Sequence, residues 1–319
     1  MSAAAAAKDP IVITHAISGA RCTIYPHGAH LTSYVDSSGR EVLFLSRDAA
    51  LDGSRAIRGG VPLCFPQFGR HDESMPQHGF LRNNFWREVP GSRIDDDDGG
   101  SRVSLELSLA DAIHARGKTG DWGSEETEYD ASFTYTVSIN GSGFETTIVM
   151  ENRGTTPWKK FQVLLHNYFS VRDGKALDGE ACNVSGLGGY AVHDKVTGEK
   201  SVLPPLLGPD DRPPLVTVPT ESVIDREYAP PPGTVDLDLT VNAGPSNVLS
   251  LKARGEVDGV RVPVSAVIWN PHRDIAMAMA DFGDDQYVDM ICVEPGLLCD
   301  VPVLEGGKKA SFTQIVRCL

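Results

Sequence analysis

No run of eighteen apolar residues occurs anywhere in this chain of 319 residues, so no segment offers a membrane-crossing helix. The opening, M-S-A-A-A-A-A-K-D-P, has an alanine run but neither a basic start nor a leucine-rich centre. No secretory signal is therefore expected, and residues 1–9 are expected to form a disordered end. Cysteine is thinly spread: Cys22, Cys64, Cys182, Cys292, Cys299 and Cys318 form no C-x-x-C and no zinc-like spacing. Scattered thiols without an export signal point to a reducing compartment, and a cytoplasmic protein is expected. The N-x-S sequons at Asn140 and Asn183 would matter only in a secreted chain. Positive charge is also short, with 29 basic against 43 acidic residues and a net charge of −14. Such a field repels nucleic acid and anionic membrane surfaces, so neither is expected as a partner.

Long amphipathic helices are hard to find, and what replaces them has a period of two. Val103, Leu105, Leu107 and Leu109 alternate with polar residues. Phe133, Tyr135, Val137 and Ile139 do the same, and Phe144, Thr146, Ile148 and Met150 follow across the turn Asn140-Gly141-Ser142-Gly143. Val235, Leu237, Leu239 and Val241 repeat the pattern. Alternation of this kind belongs to half-buried strands joined by tight turns. Further strands are expected at residues 11–17, 22–25, 30–35, 41–45, 85–89, 160–171, 248–253, 264–269, 275–281, 287–293 and 311–318. Punctuated by 32 glycines and 21 prolines, the pattern predicts an all-β protein, a large antiparallel β-sandwich with few short helices. Residues 110–129 lack alternation and are expected to be a loop. The acidic run at residues 95–100 is expected to cap a surface hairpin rather than bind calcium. No flexible linker interrupts the chain, so residues 10–319 are expected to be one domain, and with no heptad pattern a monomer is expected.

Residues 58–88 concentrate the chemistry. Arginines, histidines, glutamines and aromatic rings stand there among prolines and glycines that forbid a regular helix. Planar and charged hydrogen-bonding groups on stiff loops suit a site for a sugar or a phosphorylated sugar. Because the overall charge opposes an anionic ligand, local arginines must supply the attraction, and Arg58, beside Gly59-Gly60, and Arg82 are the candidates. In residues 160–171, parity puts Gln162, Leu164, His166, Tyr168 and Ser170 on one face, opposite the apolar face of Phe161, Val163, Leu165, Phe169 and Val171. That polar face should line a groove. Parity also puts Glu294 beyond Met290 and Cys292 in an apolar row, ended by Pro295-Gly296, where its pKa should rise towards that of a general base.

The motifs R-G-G-V-P-L-C-F-P-Q-F-G, P-Q-H-G-F-L-R, L-H-N-Y-F, D-R-E-Y and V-E-P-G run in this order and together resemble the glucose-6-phosphate 1-epimerases, the hexose-6-phosphate branch of the galactose mutarotase superfamily. The resemblance implies a mutarotase-like sandwich and the interconversion of sugar anomers. It makes His166 the general acid and Glu294 the general base. Arg58, Gln77, Arg82 and Asp225 become substrate contacts, with the arginines on the phosphate, and His78 a further neighbour of the ring. Ile224 stands where the family often has threonine. No cofactor and no metal are implied, because the ring opens by proton transfer alone, with a charged His166 and an ionised Glu294 on opposite sides of one bond. An unphosphorylated-aldose 1-epimerase would keep the His/Glu pair without needing the arginines. A non-catalytic carbohydrate-binding sandwich would need neither. A glycosidase would require a second well-placed carboxylate.

Overall fold

Alternation decides most of the architecture of the computed structural model, which describes residues 9–96, 100–116, 119–124, 129–205, 212–245 and 247–319. Residues 97–99 of the acidic run and residues 1–8 of the expected disordered end fall outside these; on either side of 97–99, Ile94–Asp96 pairs with the strand Gly100–Ser108. Among the described residues, a ten-stranded antiparallel sheet follows the order Cys182–Ser185, Leu237–Ala243, Val248–Val257, Lys309–Cys318, Gly143–Asn152, Ala131–Asn140, Gly100–Ser108 and Arg87–Glu88, with two short strands attached. Val103, Leu105 and Leu107 face inward from one strand and Phe133, Tyr135, Val137 and Ile139 from the next. The hairpin turn at Gly141-Ser142 is closed by Asn140, whose Oδ1 accepts the Ser142 backbone N–H at 3.0 Å.

A second, eight-stranded sheet runs Lys200–Val202, Ala191–Asp194, Ile224–Ala229, Ser265–Asn270, Met290–Leu297, Val163–Leu165 and Leu63–Cys64, with Tyr168–Ser170 also paired to Met290–Leu297. A three-stranded sheet, Ile11–Thr14, Arg21–Tyr25 and His30–Val35, completes the set. Between the layers lies the main apolar core, with Phe65, Phe80, Trp122, Phe133 and Trp158 in a network of ring contacts. Each such ring contributes about 1.5–3 kcal/mol by leaving water.

Three local expectations are corrected. Residues 275–281 are not a strand: a helix spans His272–Ala278. Asn270 Oδ1 accepts the His272 N–H at 2.8 Å, and Pro271 carries a helical φ of −67° at the start. A strand would put Met277 on one face with Ile275 and Met279; the helix instead turns Met277 out to solvent while Ile275 and Met279 line the cavity. Residues 110–129 are not loop throughout, since a helix spans Leu109–Arg116 and a 3₁₀ turn Gly120–Gly123. Its start carries a signal that alternation hid: Ser108 Oγ accepts the Asp111 N–H at 3.1 Å and donates to the Asp111 carboxylate at 2.8 Å, a capping pair. Finally, residues 286–289 form a 3₁₀ turn, and the strand Met290–Leu297 runs through Pro295-Gly296 instead of stopping there. It persists because it pairs on both sides, and Gly296 permits that: a Cβ on it would stand 2.9 Å from Val163 O and from Leu164 Cβ.

Candidate active site

Antiparallel register builds the floor of the site. Leu164 lies opposite Gly296 and Tyr168 opposite Cys292, so the same register brings His166 opposite Glu294 on the same face of the eight-stranded sheet. His166 Nδ1 and Glu294 Oε1 are 3.4 Å apart. The next strand places Val267 beside Glu294 and Trp269 beside Cys292, and the one after it places Asp225 beside Trp269. Lys195, whose backbone N–H binds Asp225 O at 2.8 Å, extends the row. Side chains 128 residues apart, His166 and Glu294, thus become neighbours through strand pairing alone.

The loop at residues 55–82 forms one wall. Gln67 folds it from within: its Oε1 accepts the N–H groups of His71 and Asp72 at 3.0 and 2.7 Å, and its Nε2 donates to Asp72 O and Pro76 O at 3.1 Å each. His78 follows in a left-handed conformation, φ 64°. Gly79 must lack a side chain, since a Cβ would come within 1.8 Å of Phe65 O. His78 Nδ1 accepts the Gly69 N–H at 3.1 Å, which leaves its proton on Nε2. Its ring meets that of His166 edge-on, centroids 5.6 Å apart.

The cavity above the floor measures about 390 Å³ and is lined by Arg58, Gln77, His78, Arg82, His166, Asp225 and Glu294, all seven of the site side chains singled out from sequence. Arg58 is held at the end of the cavity, with its guanidinium 3.3 Å from the Asp281 carboxylate and 3.2 Å from the Tyr168 hydroxyl. Tyr168 in turn stacks on His166, centroids 4.8 Å apart and planes 10° from parallel. Arg82 donates from Nη2 to Gln77 O at 2.9 Å, while its enclosed Nε has no hydrogen-bond partner. No carboxylate lies within ion-pair distance of Arg82 among the described residues. A second hollow of about 220 Å³ adjoins this end and shares Arg58, Gln77 and Arg82.

Burial governs the protonation of the floor. Glu294 is 1% exposed and His166 6%. Burial and the nearby Asp225 carboxylate push the Glu294 carboxyl well above its usual range. Burial, then the Arg82 and Arg58 cations, push the His166 imidazole well below its own. His78 is likewise held neutral by burial and Arg82. Each of these two neighbours, 3.4 Å apart, is thus pushed towards its neutral form. Both directions run against the charge states expected from sequence, a cationic imidazole and an ionised carboxylate. The two groups also stand side by side on one floor, not across a bond from one another.

Several lining residues escaped the sequence reading. Lys195 reaches over the Phe68 ring at 4.1 Å and lies 3.9 and 3.8 Å from the carboxylates of Asp225 and Glu227. Trp269 offers its ring edge-on to His166, centroids 5.9 Å apart. Ile275 and Met279 close the far side. Asp281, which orients Arg58, carried no motif at all. Conversely, Arg87 of the 58–88 stretch points elsewhere and pairs with Asp111 at 3.2 Å.

Comparison with known proteins adds independent observations. A family description, aldose 1-epimerase, matches residues 9–317. A protein of Cenchrus ciliaris named "Putative glucose-6-phosphate 1-epimerase" is 28% identical over 293 residues, covering 90% of this chain and 78% of the relative. One of the same name from Escherichia coli K12 is 29% identical over 315 residues, covering 97% and 90%. A Salmonella typhimurium protein whose crystal structure is described as that of a "putative mutarotase" superposes with a TM-score of 0.70 at 24% identity, over 98% of this chain and 91% of that one. The Slr1438 protein of Synechocystis superposes with a TM-score of 0.68 at 16% identity over the whole of both chains.

Proposed function

The chain belongs to the aldose 1-epimerase family, and from that premise we propose that it interconverts the α and β anomers of a hexose 6-phosphate, with D-glucose 6-phosphate as the first substrate to test. The observation that carries the phosphate is Arg82. A half-buried guanidinium with an enclosed, unpartnered Nε and no carboxylate in reach is costly unless an anion arrives, and Arg58 faces the same end of the cavity. An enzyme for plain aldoses would have no use for that arrangement. The names of the curated relatives support the same substrate class.

The mechanism starts from a neutral His166 beside a neutral Glu294 carboxyl. A bound phosphate dianion offsets the Arg58 and Arg82 cations, which otherwise depress the imidazole. The proton then moves from Glu294 to His166 and leaves a carboxylate beside an imidazolium. Glu294 takes the proton of the C1 hydroxyl, His166 gives one to the ring oxygen, and the C1–O5 bond opens to the aldehyde. Both oxygens are bonded to the same carbon, so a donor and an acceptor held side by side suit them without straddling the ring. Rotation about C1–C2 and reversal of both transfers close the other anomer. Asp225, Gln77 and the Nε2–H of His78 hold sugar hydroxyls, and Trp269 and Phe68 cover the apolar faces of the ring. Since the reaction proceeds slowly in water unaided, orientation and one acid/base pair are sufficient.

No helix among the described residues is long and apolar enough to cross a membrane. All six cysteines are free thiols, four of them buried, which supports a cytosolic setting. The direct test is NMR exchange spectroscopy on glucose 6-phosphate and on glucose. Accelerated exchange confined to the phosphorylated sugar is expected; equal acceleration of both would remove the phosphate from the assignment.

A further inference from the structure

Beneath the proton-transferring pair lies a group that the reaction does not use. Cys292 is fully buried on the Met290–Leu297 strand, two residues before Glu294 and therefore on the same face. A ring nitrogen of His166, the Cys292 Sγ and a carboxylate oxygen of Glu294 all lie within 4.8 Å of one another. Two of the polar atoms there, His166 Nδ1 and Glu294 Oε2, are enclosed and lack any hydrogen-bond partner. Lone pairs without partners in a buried, converging set are what a metal ion satisfies.

We infer that this constellation is a binding site for a thiophilic divalent cation, Zn²⁺ foremost, and that occupancy switches the enzyme off. The donor set is sulfur, imidazole and carboxylate, which zinc accepts together. In tetrahedral geometry such donors stand about 3.3–3.6 Å apart, and the nitrogen and oxygen are already at 3.4 Å. Bringing the sulfur in requires a shift of about 1 Å, within the reach of a side-chain torsion. One thiolate and one carboxylate balance the two positive charges, and the protons of the thiol and of the carboxyl leave to solvent. The ion enters through the cavity, and its fourth coordination position faces the sugar site. It takes the lone pairs that the mechanism needs on both His166 and Glu294, so proton transfer stops. The inhibition rests on the function proposed above, whereas the binding does not.

The test begins with the metal alone. Zn²⁺ is titrated into the metal-free chain against a chromophoric chelator, in wild type, Cys292→Ala and Glu294→Gln, each checked for folding by its thermal transition. One site per chain is expected, weakened at least about tenfold in either variant. Undiminished affinity in Cys292→Ala overturns the site. Should that variant fail to fold, Co²⁺ bound to the wild-type chain still decides, because a thiolate-to-cobalt charge-transfer band is required and its absence sinks the proposal. Anomer exchange measured at matched Zn²⁺ concentrations should fall in step with occupancy; full exchange at full occupancy overturns the inhibitory role. If no sugar phosphate is turned over by the metal-free protein, the binding measurements still stand and the failure lies with the proposed function.

Discussion

Asn167 and Gln314 exchange two side-chain amide hydrogen bonds, at 2.8 and 2.9 Å, and so tie the eight-stranded sheet to the ten-stranded one directly behind His166. Asn167 also donates to Val293 O at 3.0 Å. It occupies the gap between the Val163–Leu165 and Tyr168–Ser170 strands and fixes the turn of backbone from which His166 projects. Replacing Gln314 with leucine leaves the buried Asn167 Oδ1 without its donor, a cost of about 1–3 kcal/mol. The expected outcome in denaturant unfolding is that loss, together with a fall in kcat that exceeds any change in KM. An unchanged kcat would mean that the amide pair serves stability alone.

His166→Ala and Glu294→Gln should each slow anomer exchange by about 10²–10⁴-fold while the far-ultraviolet spectrum stays as in wild type. The double variant should be no worse than about the poorer single one, because donor and acceptor act on the same bond as one unit. Multiplying losses in the double variant would contradict a coupled pair.

Arg82→Met and Arg58→Met each remove a charge-assisted contact worth about 1.5–3 kcal/mol, or a loss of about tenfold or more in affinity. KM for glucose 6-phosphate should rise by that factor. Residual exchange of glucose should not change. Arg58→Met also leaves Asp281 without its partner, so its thermal transition should drop further than that of Arg82→Met.

Stability should depend on pH through Glu294. Its folded-state pKa is raised by burial, so the folded chain keeps a proton that the unfolded chain releases near 4.5. Stability from this group is therefore fully present below about that pH and declines as pH rises towards the folded value. Glu294→Gln has no such dependence. Its melting temperature should match wild type near pH 4 and exceed it by a few degrees near pH 7, where each unit of raised pKa costs about 1.4 kcal/mol. His166 acts in the opposite sense, its lowered pKa costing stability below 6.5, but both chains share it. A constant difference across pH would show that Glu294 is ionised in the folded protein.

The strand parity of residues 160–171 and the apolar row leading to Glu294 were legible because side-chain direction in a strand depends only on odd and even position. The structure keeps both faces as read, with Val163, Leu165 and Phe169 in the main core and His166 on the cavity floor. Helices at Leu109–Arg116 and His272–Ala278 were missed, because short helices that pack on sheets are specified by caps and neighbours more than by period. Asp281, Lys195 and Trp269 were missed for a related reason: nothing local distinguishes an aspartate that orients an arginine 223 residues away.

By itself, the sequence determined which residues alternate, where the backbone must turn without a side chain, and which ionisable groups lie on apolar rows. These are properties of a few consecutive residues and of backbone sterics. Only the tertiary structure decided that His166 and Glu294 stand 3.4 Å apart in a buried floor and that Arg82 stands without a carboxylate. Protonation depends on burial and on charges brought close by pairing between distant strands, and no local pattern encodes those distances.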